Sequence, residues 1–139
     1  MRQLIFITSK PIVPAEVLEL VRSENAGAIN LFIGTVRNKT QDKPVIRLEF
    51  EAYERMAVKE MTKIANKAKE KWPINEIAIH HRVGALKVSD VPVVIAVSSP
   101  HRQQAFEACQ FAIDTLKETV PIWKKEVFID GEEWVSAHP

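Results

Sequence analysis

Along this chain apolar residues alternate with polar ones in short runs, then recur at three- and four-residue spacing, and the switches of period predict its elements. Leu4-Ile5-Phe6-Ile7-Thr8 is a run of β-forming residues and predicts a first strand. Pro11 and Pro14 punctuate the next stretch, and Val13, Val17, Leu20 and Val21 then fall at helical spacing until Asn25-Ala26-Gly27 breaks it. Residues 28–37 alternate as a strand, with Ile29, Leu31, Ile33 and Thr35 on one face and Asn30, Phe32, Gly34 and Val36 on the other. Gly34 inside that strand predicts a bulge or a close approach by another backbone or a ligand.

The polar stretch 38–44 (NKTQDKP) reads as a mobile loop, and 45–53 as a third strand with Ile46, Leu48 and Phe50 opposite Arg47, Glu49 and Glu51. Residues 56–72 are helical by pattern: Met56, Met61, Ile64, Ala65 and Ala68 share a face, and Pro73 ends the run. Two more strands are expected at 74–83 and 91–97, joined by 84–90 (GALKVSD), which holds a short strand or a turn. A long helix spans 98–120, then a strand at 123–129, a tight turn at Asp130-Gly131 and a final strand at Trp134-Val135. Strands thus succeed one another without intervening helices, which predicts an α+β class with a mostly antiparallel sheet and about three helices. With 139 residues, no repeat and no long linker, a single domain over 1–139 is expected.

Composition narrows the function classes. At 46% hydrophobic and 27% charged residues, the chain can bury a core and remain soluble. A net charge of +1 argues against a general nucleic-acid binder, so any anion site must come from local clustering. Cys109 is the lone cysteine, which rules out an intramolecular disulfide and suits a reducing compartment. The opening MRQLIFITSKPIV lacks the form of a secretion signal, and no apolar run reaches membrane-spanning length, so a cytoplasmic protein is expected. His80 and His81 are adjacent in a strand and point to opposite faces, so they do not share a metal; no metal and no resident cofactor is expected.

Candidate chemistry concentrates between Ser98 and Glu126. Ser99 is a natural N-cap with Pro100 at the first helical position, which puts His101 and Arg102 in the first turn. Free backbone N–H groups and the helix dipole favour an anion there, and an arginine fork suits a phosphate; a solvated first turn is the competing reading. At 100° per residue Ala105, Cys109, Ala112, Ile113, Leu116 and Val120 form the buried stripe, which makes Cys109 a core residue rather than a nucleophile. Lys117 flanks the stripe in a row with Phe106, Gln110 and Ile113. It is either a snorkelling surface lysine or an acid, base or nucleophile in a partly dry cleft. Phe111, away from the stripe, faces a partner subunit, a second layer or solvent.

In the strand beyond, Lys124 and Lys125 point to opposite sides and Glu126 shares the side of Lys124, which it could orient; a plain charged edge strand is the alternative. Arg37, beside the loop at 38–44, is a strand-end surface charge or a residue that closes over an anion.

GAINLFIGTVR, LEFEAYERMA, HHRVGAL, SSPHRQQAF, AIDTLKETVPIWKKE and GEEW occur in this order from about Gly27 to Trp134. In combination they resemble the large, catalytic subunit of molybdopterin synthase. The resemblance implies an α/β hammerhead-type fold and a homodimer with a small ubiquitin-like subunit at each end, a heterotetramer. The small subunit's C-terminal Gly-Gly thiocarboxylate enters the large subunit's pocket, and sulfur passes to cyclic pyranopterin monophosphate to form the molybdopterin dithiolene. It further implies substrate binding by Arg37, His101, Arg102, Lys117 and Lys124, catalysis by Lys117 and Lys124, and support from Glu126. Lys117 would transfer protons or attack the partner's C-terminus covalently. The family often has a glycine followed by an acid after HHRVGAL, where this chain has Ser89-Asp90, a change that bears on a turn. Some members also carry a longer tail than the one ending here at Pro139. Without the resemblance, the alternative is a non-enzymatic module that binds a phosphorylated metabolite or an acidic peptide tail.

Overall fold

A computed structural model of the protein describes residues 3–135, the side chain of Val135 excepted. Its elements are β1 (Ile5–Thr8), α1 (Pro14–Leu20), β2 (Ala28–Gly34), β3 (Lys39–Thr40), β4 (Lys43–Ala52), α2 (Glu54–Lys71), β5 (Glu76–Arg82), β6 (Gly84–Lys87), β7 (Val93–Ser99), α3 (Arg102–Thr119), β8 (Ile122–Phe128) and β9 (Gly131–Val135). They build two sheets. One has the order β1-β5-β7-β2, parallel only between β1 and β5; the other runs β3-β4-β8-β9, with β6 also paired to β4. The class is α+β, as the strand-next-to-strand order predicts.

Every residue of β7 is buried, because helices cover both faces of the first sheet. Val93, Ile95 and Val97 join Ile77 and Ile79 against α2 and α3, while Val94, Ala96 and Ala78 meet Val17 and Val21 beside α1. The two faces of β2 divide the same way: Phe32 packs toward α3, and Ile29 and Leu31 toward the α1 side. A third cluster of Val36, Val45, Leu48, Leu86 and Phe128 fills the second sheet.

Several expectations change. In α2 the buried stripe is Ala57, Met61, Ile64, Ala65 and Ala68, and Met56 is half-exposed, one position off the stripe. Residues 38–44 form a tight hairpin rather than a mobile loop: Thr40 pairs with Lys43, and Gln41 and Asp42 take φ of 49° and 67°, the left-handed pair a two-residue hairpin turn requires. Gly34 sits in unbroken β2–β7 pairing, and its reason is close approach, since a Cβ there would lie 2.7 Å from Val93 Cγ1. The irregularity falls instead in β4, between Val45 and Arg47.

Ser99 is not the N-cap of α3. It belongs to β7, its hydroxyl donates to the carbonyl of His101, and His101 occupies the cap position without a side-chain capping bond. Phe111 packs on the end of α2, its ring 5.5 Å from that of Trp72, with Lys71 Nζ 4.7 Å from its centroid. It is therefore part of the second layer within the chain.

Candidate active site

A cavity of about 390 Å³ opens where the C-terminal half of α3 meets the ends of β2, β5 and β7 and the inner face of β4 and β8. Its walls are apolar (Phe32, Leu48, Phe50, Val93, Ile113, Leu116, Val120 and Ile122) and its charged groups are Arg37, Lys117, Lys124 and Glu126. This size and this mixture suit a small-molecule site.

Strand parity sets the polar wall. Lys124 lies opposite Phe50 and Glu126 opposite Leu48 in the β4–β8 pairing, so both follow the inner face into the cavity. Lys125 lies on the outer face, 3.3 Å from Glu49 and 3.5 Å from Glu132, with its ammonium over the Trp134 ring. Glu126 is buried, and its Oε2 accepts the Thr40 hydroxyl at 2.5 Å, so the hairpin of β3 is tied to the floor of the site. Lys124 is half-buried. Desolvation lowers its pKa below the ordinary lysine value; the Glu126 carboxylate opposes this, and the nearby charges of Lys117 and Arg37 add to it.

Lys117 enters from the last turn of α3, beside Ile113 and Leu116. Arg37 comes directly after Val36, which is buried and held on both sides: its N–H donates to Asp90 O at 2.9 Å, and its carbonyl accepts Ser89 N–H at 2.8 Å. The Ser89-Asp90 turn thus anchors the segment that carries Arg37. Ser89 takes a φ of 76°, the left-handed conformation in which glycine is unstrained.

His101 and Arg102 are not among the residues that line this cavity within the single chain. Both are exposed at the N-terminal end of α3. Fifteen residues at the α-helical rise separate Arg102 from Lys117, or about 22 Å, too far for one small anion to touch both within one chain. Cys109 is buried in the core, and burial pushes its thiol up to about 11.

Thr40 and His81 also line the site, and sequence reasoning assigns neither a role there. The signal for His81 was its phase in β5, two residues beyond Ile79 and four beyond Ile77, both buried and on the same face. Among the described residues no group of three His, Cys, Asp or Glu side chains could hold a metal ion, and no helix is long and apolar enough to cross a membrane.

An apolar cavity that gathers Arg37, Lys117, Glu126 and a partly desolvated Lys124 has the make-up of an enzyme-type small-molecule site in an α+β fold. Residues 7–119 match the MoaE protein family, so the chain belongs to that family, which contains the molybdopterin synthase catalytic subunits. One such relative, a molybdopterin synthase catalytic subunit from Halalkalibacterium halodurans, is 50% identical over 129 residues, spanning 93% of this chain and 83% of its own. The crystal structure of molybdopterin synthase from Staphylococcus aureus superposes with a TM-score of 0.94 at 42% identity, over 98% of this chain and 99% of that one. A more distant structure, a complex of subunits 1 and 2 of molybdopterin-converting factor from Helicobacter pylori, has a TM-score of 0.76 at 21% identity over 94% and 90% of the two chains, and shows the same fold.

Proposed function

We propose that this chain is a sulfurtransferase, the catalytic subunit that moves sulfur from the thiocarboxylated C-terminus of a small ubiquitin-like partner to cyclic pyranopterin monophosphate, making the molybdopterin dithiolene in the cytoplasm. The observation that carries the reading is the meeting of Lys117, Lys124 and Arg37 in one apolar cavity, with the buried Glu126 beside them.

The cations hold anions, both the substrate phosphate and the partner's C-terminal tail. The apolar walls take the flat ring and exclude water, which strengthens every charge interaction inside. The thiocarboxylate sulfur attacks a substrate carbon and forms a C–S bond; the C–O bond at that carbon breaks, and the departing oxygen takes a proton. Hydrolysis of the acyl–sulfur bond then leaves a carboxylate on the partner and sulfur on the substrate. Lys124 is suited to supply the proton: its lowered pKa makes its ammonium a stronger acid than a free lysine, while the Glu126 carboxylate favours the charged form. Lys117 offers a second proton carrier from the opposite wall.

His101 and Arg102 enter this reading only through a homodimer, in which the start of one copy's α3 serves the cavity of the other. The test supplies purified protein with the thiocarboxylated partner and cyclic pyranopterin monophosphate. Molybdopterin forms with the wild type. Its absence overturns the enzyme in favour of a binding module, and undiminished product from Lys117→Ala overturns the role of that lysine.

A further inference from the structure

We infer that His81 is a specificity-determining residue of the cavity: its Nε2 accepts a hydrogen bond from an N–H or O–H donor on the uncharged ring end of the ligand. This rests on the proposed function, in which the ligand is a fused nitrogen heterocycle carrying a phosphate.

The geometry begins in β5, whose alternation turns His81 to the side of Ile77 and Ile79 and turns His80 to the opposite side, where its Nε2 meets the carbonyl of Gln3. His81 is buried, lines the cavity, and has its ring edge-on to Phe50 at 5.3 Å between centroids. Its Nδ1 lies 2.8 Å from the carbonyl oxygen of Arg82. A carbonyl only accepts, so Nδ1 carries the hydrogen, and in the neutral ring Nε2 is a bare lone pair. Burial keeps the ring neutral, with its pKa pushed down to about 4. Nε2 has no hydrogen-bond partner among the described residues.

The surroundings give that lone pair a use. Arg37, Lys117 and Lys124 are donors only and select the anionic end of a ligand. Glu126 can accept, but it already holds the Thr40 hydroxyl and faces Lys124. A ring with N–H donors, placed against Phe32 and Phe50, therefore finds a fixed neutral acceptor in His81. A site built to pair with a donor rejects an analogue that lacks it.

Two substitutions separate reading the ligand from merely holding the Arg82 carbonyl. In His81→Asn the amide nitrogen stands near Nδ1 and keeps that bond, while nothing remains at Nε2. In His81→Gln a polar atom reaches the Nε2 position. Calorimetric titration with cyclic pyranopterin monophosphate is expected to show binding weakened about tenfold in His81→Asn, and largely restored in His81→Gln. Affinity for inorganic phosphate stays at the wild-type value in both. Wild-type pyranopterin affinity in His81→Asn, or an equal loss for phosphate, overturns the inference. A measurement that needs no variant is ¹⁵N NMR of the histidine rings: ligand addition shifts Nε2 of His81 and leaves Nδ1 in place. Wild-type protein that binds the pyranopterin with an unmoved Nε2 overturns the inference alone, whereas wild-type protein that binds none overturns the proposed function itself.

Discussion

Arg102 and Lys117 lie on the same helix, yet they can serve one ligand only from different copies of the chain. A compact ligand filling 390 Å³ is about 9 Å across, a typical small-molecule size, against the roughly 22 Å of helix between the two side chains. If both residues act in one site, Arg102 of one subunit must meet Lys117 of its partner, and a two-fold dimer then holds two such composite sites. Arg102→Ala and Lys117→Ala each disable both sites of their own homodimers. In a mixed dimer one site receives both substitutions and the other receives neither. Random exchange of equal amounts makes half the dimers mixed, each with one intact site, so activity should recover to about a quarter of wild type. The assay is molybdopterin formation in the reconstituted reaction, before and after subunit exchange. Residues that acted within one chain would leave every site defective, and activity that stays at the level of the separate variants refutes the shared site.

Further consequences can be measured independently. Because the pKa of Lys124 is lowered by burial and then by Lys117 and Arg37, its ammonium is lost on raising the pH before a free lysine's would be; the pH–rate profile should fall on its alkaline side below the ordinary lysine range. Lys117→Met removes one of the depressing charges and should move that limb to higher pH, and a limb that does not move contradicts Lys124 as the acid. Ser89→Gly should relieve the left-handed strain and add about 1 kcal/mol of stability, read as a rise of roughly 3 °C in melting temperature; a fall would show that the turn needs the serine. Gly27→Ala should cost about 1–3 kcal/mol in urea denaturation, because the added Cβ would lie 2.3 Å from the Pro100 carbonyl oxygen just before α3, and an unchanged midpoint contradicts that contact.

The fold was largely legible because periodicity is a local signal. The alternation in β2 and β8 and the stripe on α3 each arise from backbone geometry that neighbours did not override. The same parity separates Lys124 and Glu126 from Lys125. Helix ends were less legible. Ser99-Pro100 has the chemistry of a cap, but β7 extends through Ser99 because its pairing with Ala28 satisfies that backbone first. Distance was the least legible quantity. His101, Arg102 and Lys117 read as one charged run, although a helix rises about 1.5 Å with every residue between them. His81 shows the opposite failure: it is remote in sequence from Lys117 and Lys124, and only the packing of β5 against β7, and of β4 against β8, brings it to their cavity. Even the turn at Ser89-Asp90 acquires its meaning from a long-range bond, since Val36 ties it to the segment of Arg37.

In the proposed reaction sulfur passes from the partner's C-terminus to a ligand held in this cavity. The most direct test of that transfer is to prepare the partner thiocarboxylate with a heavy sulfur isotope, run the reconstituted reaction to completion, and determine the mass of the product. The expected product is molybdopterin carrying the heavy isotope at both dithiolene sulfurs, with formation reduced about a hundredfold or more by Lys124→Ala. Product with light sulfur, or labelled product formed at the wild-type rate by Lys124→Ala, would contradict the proposal.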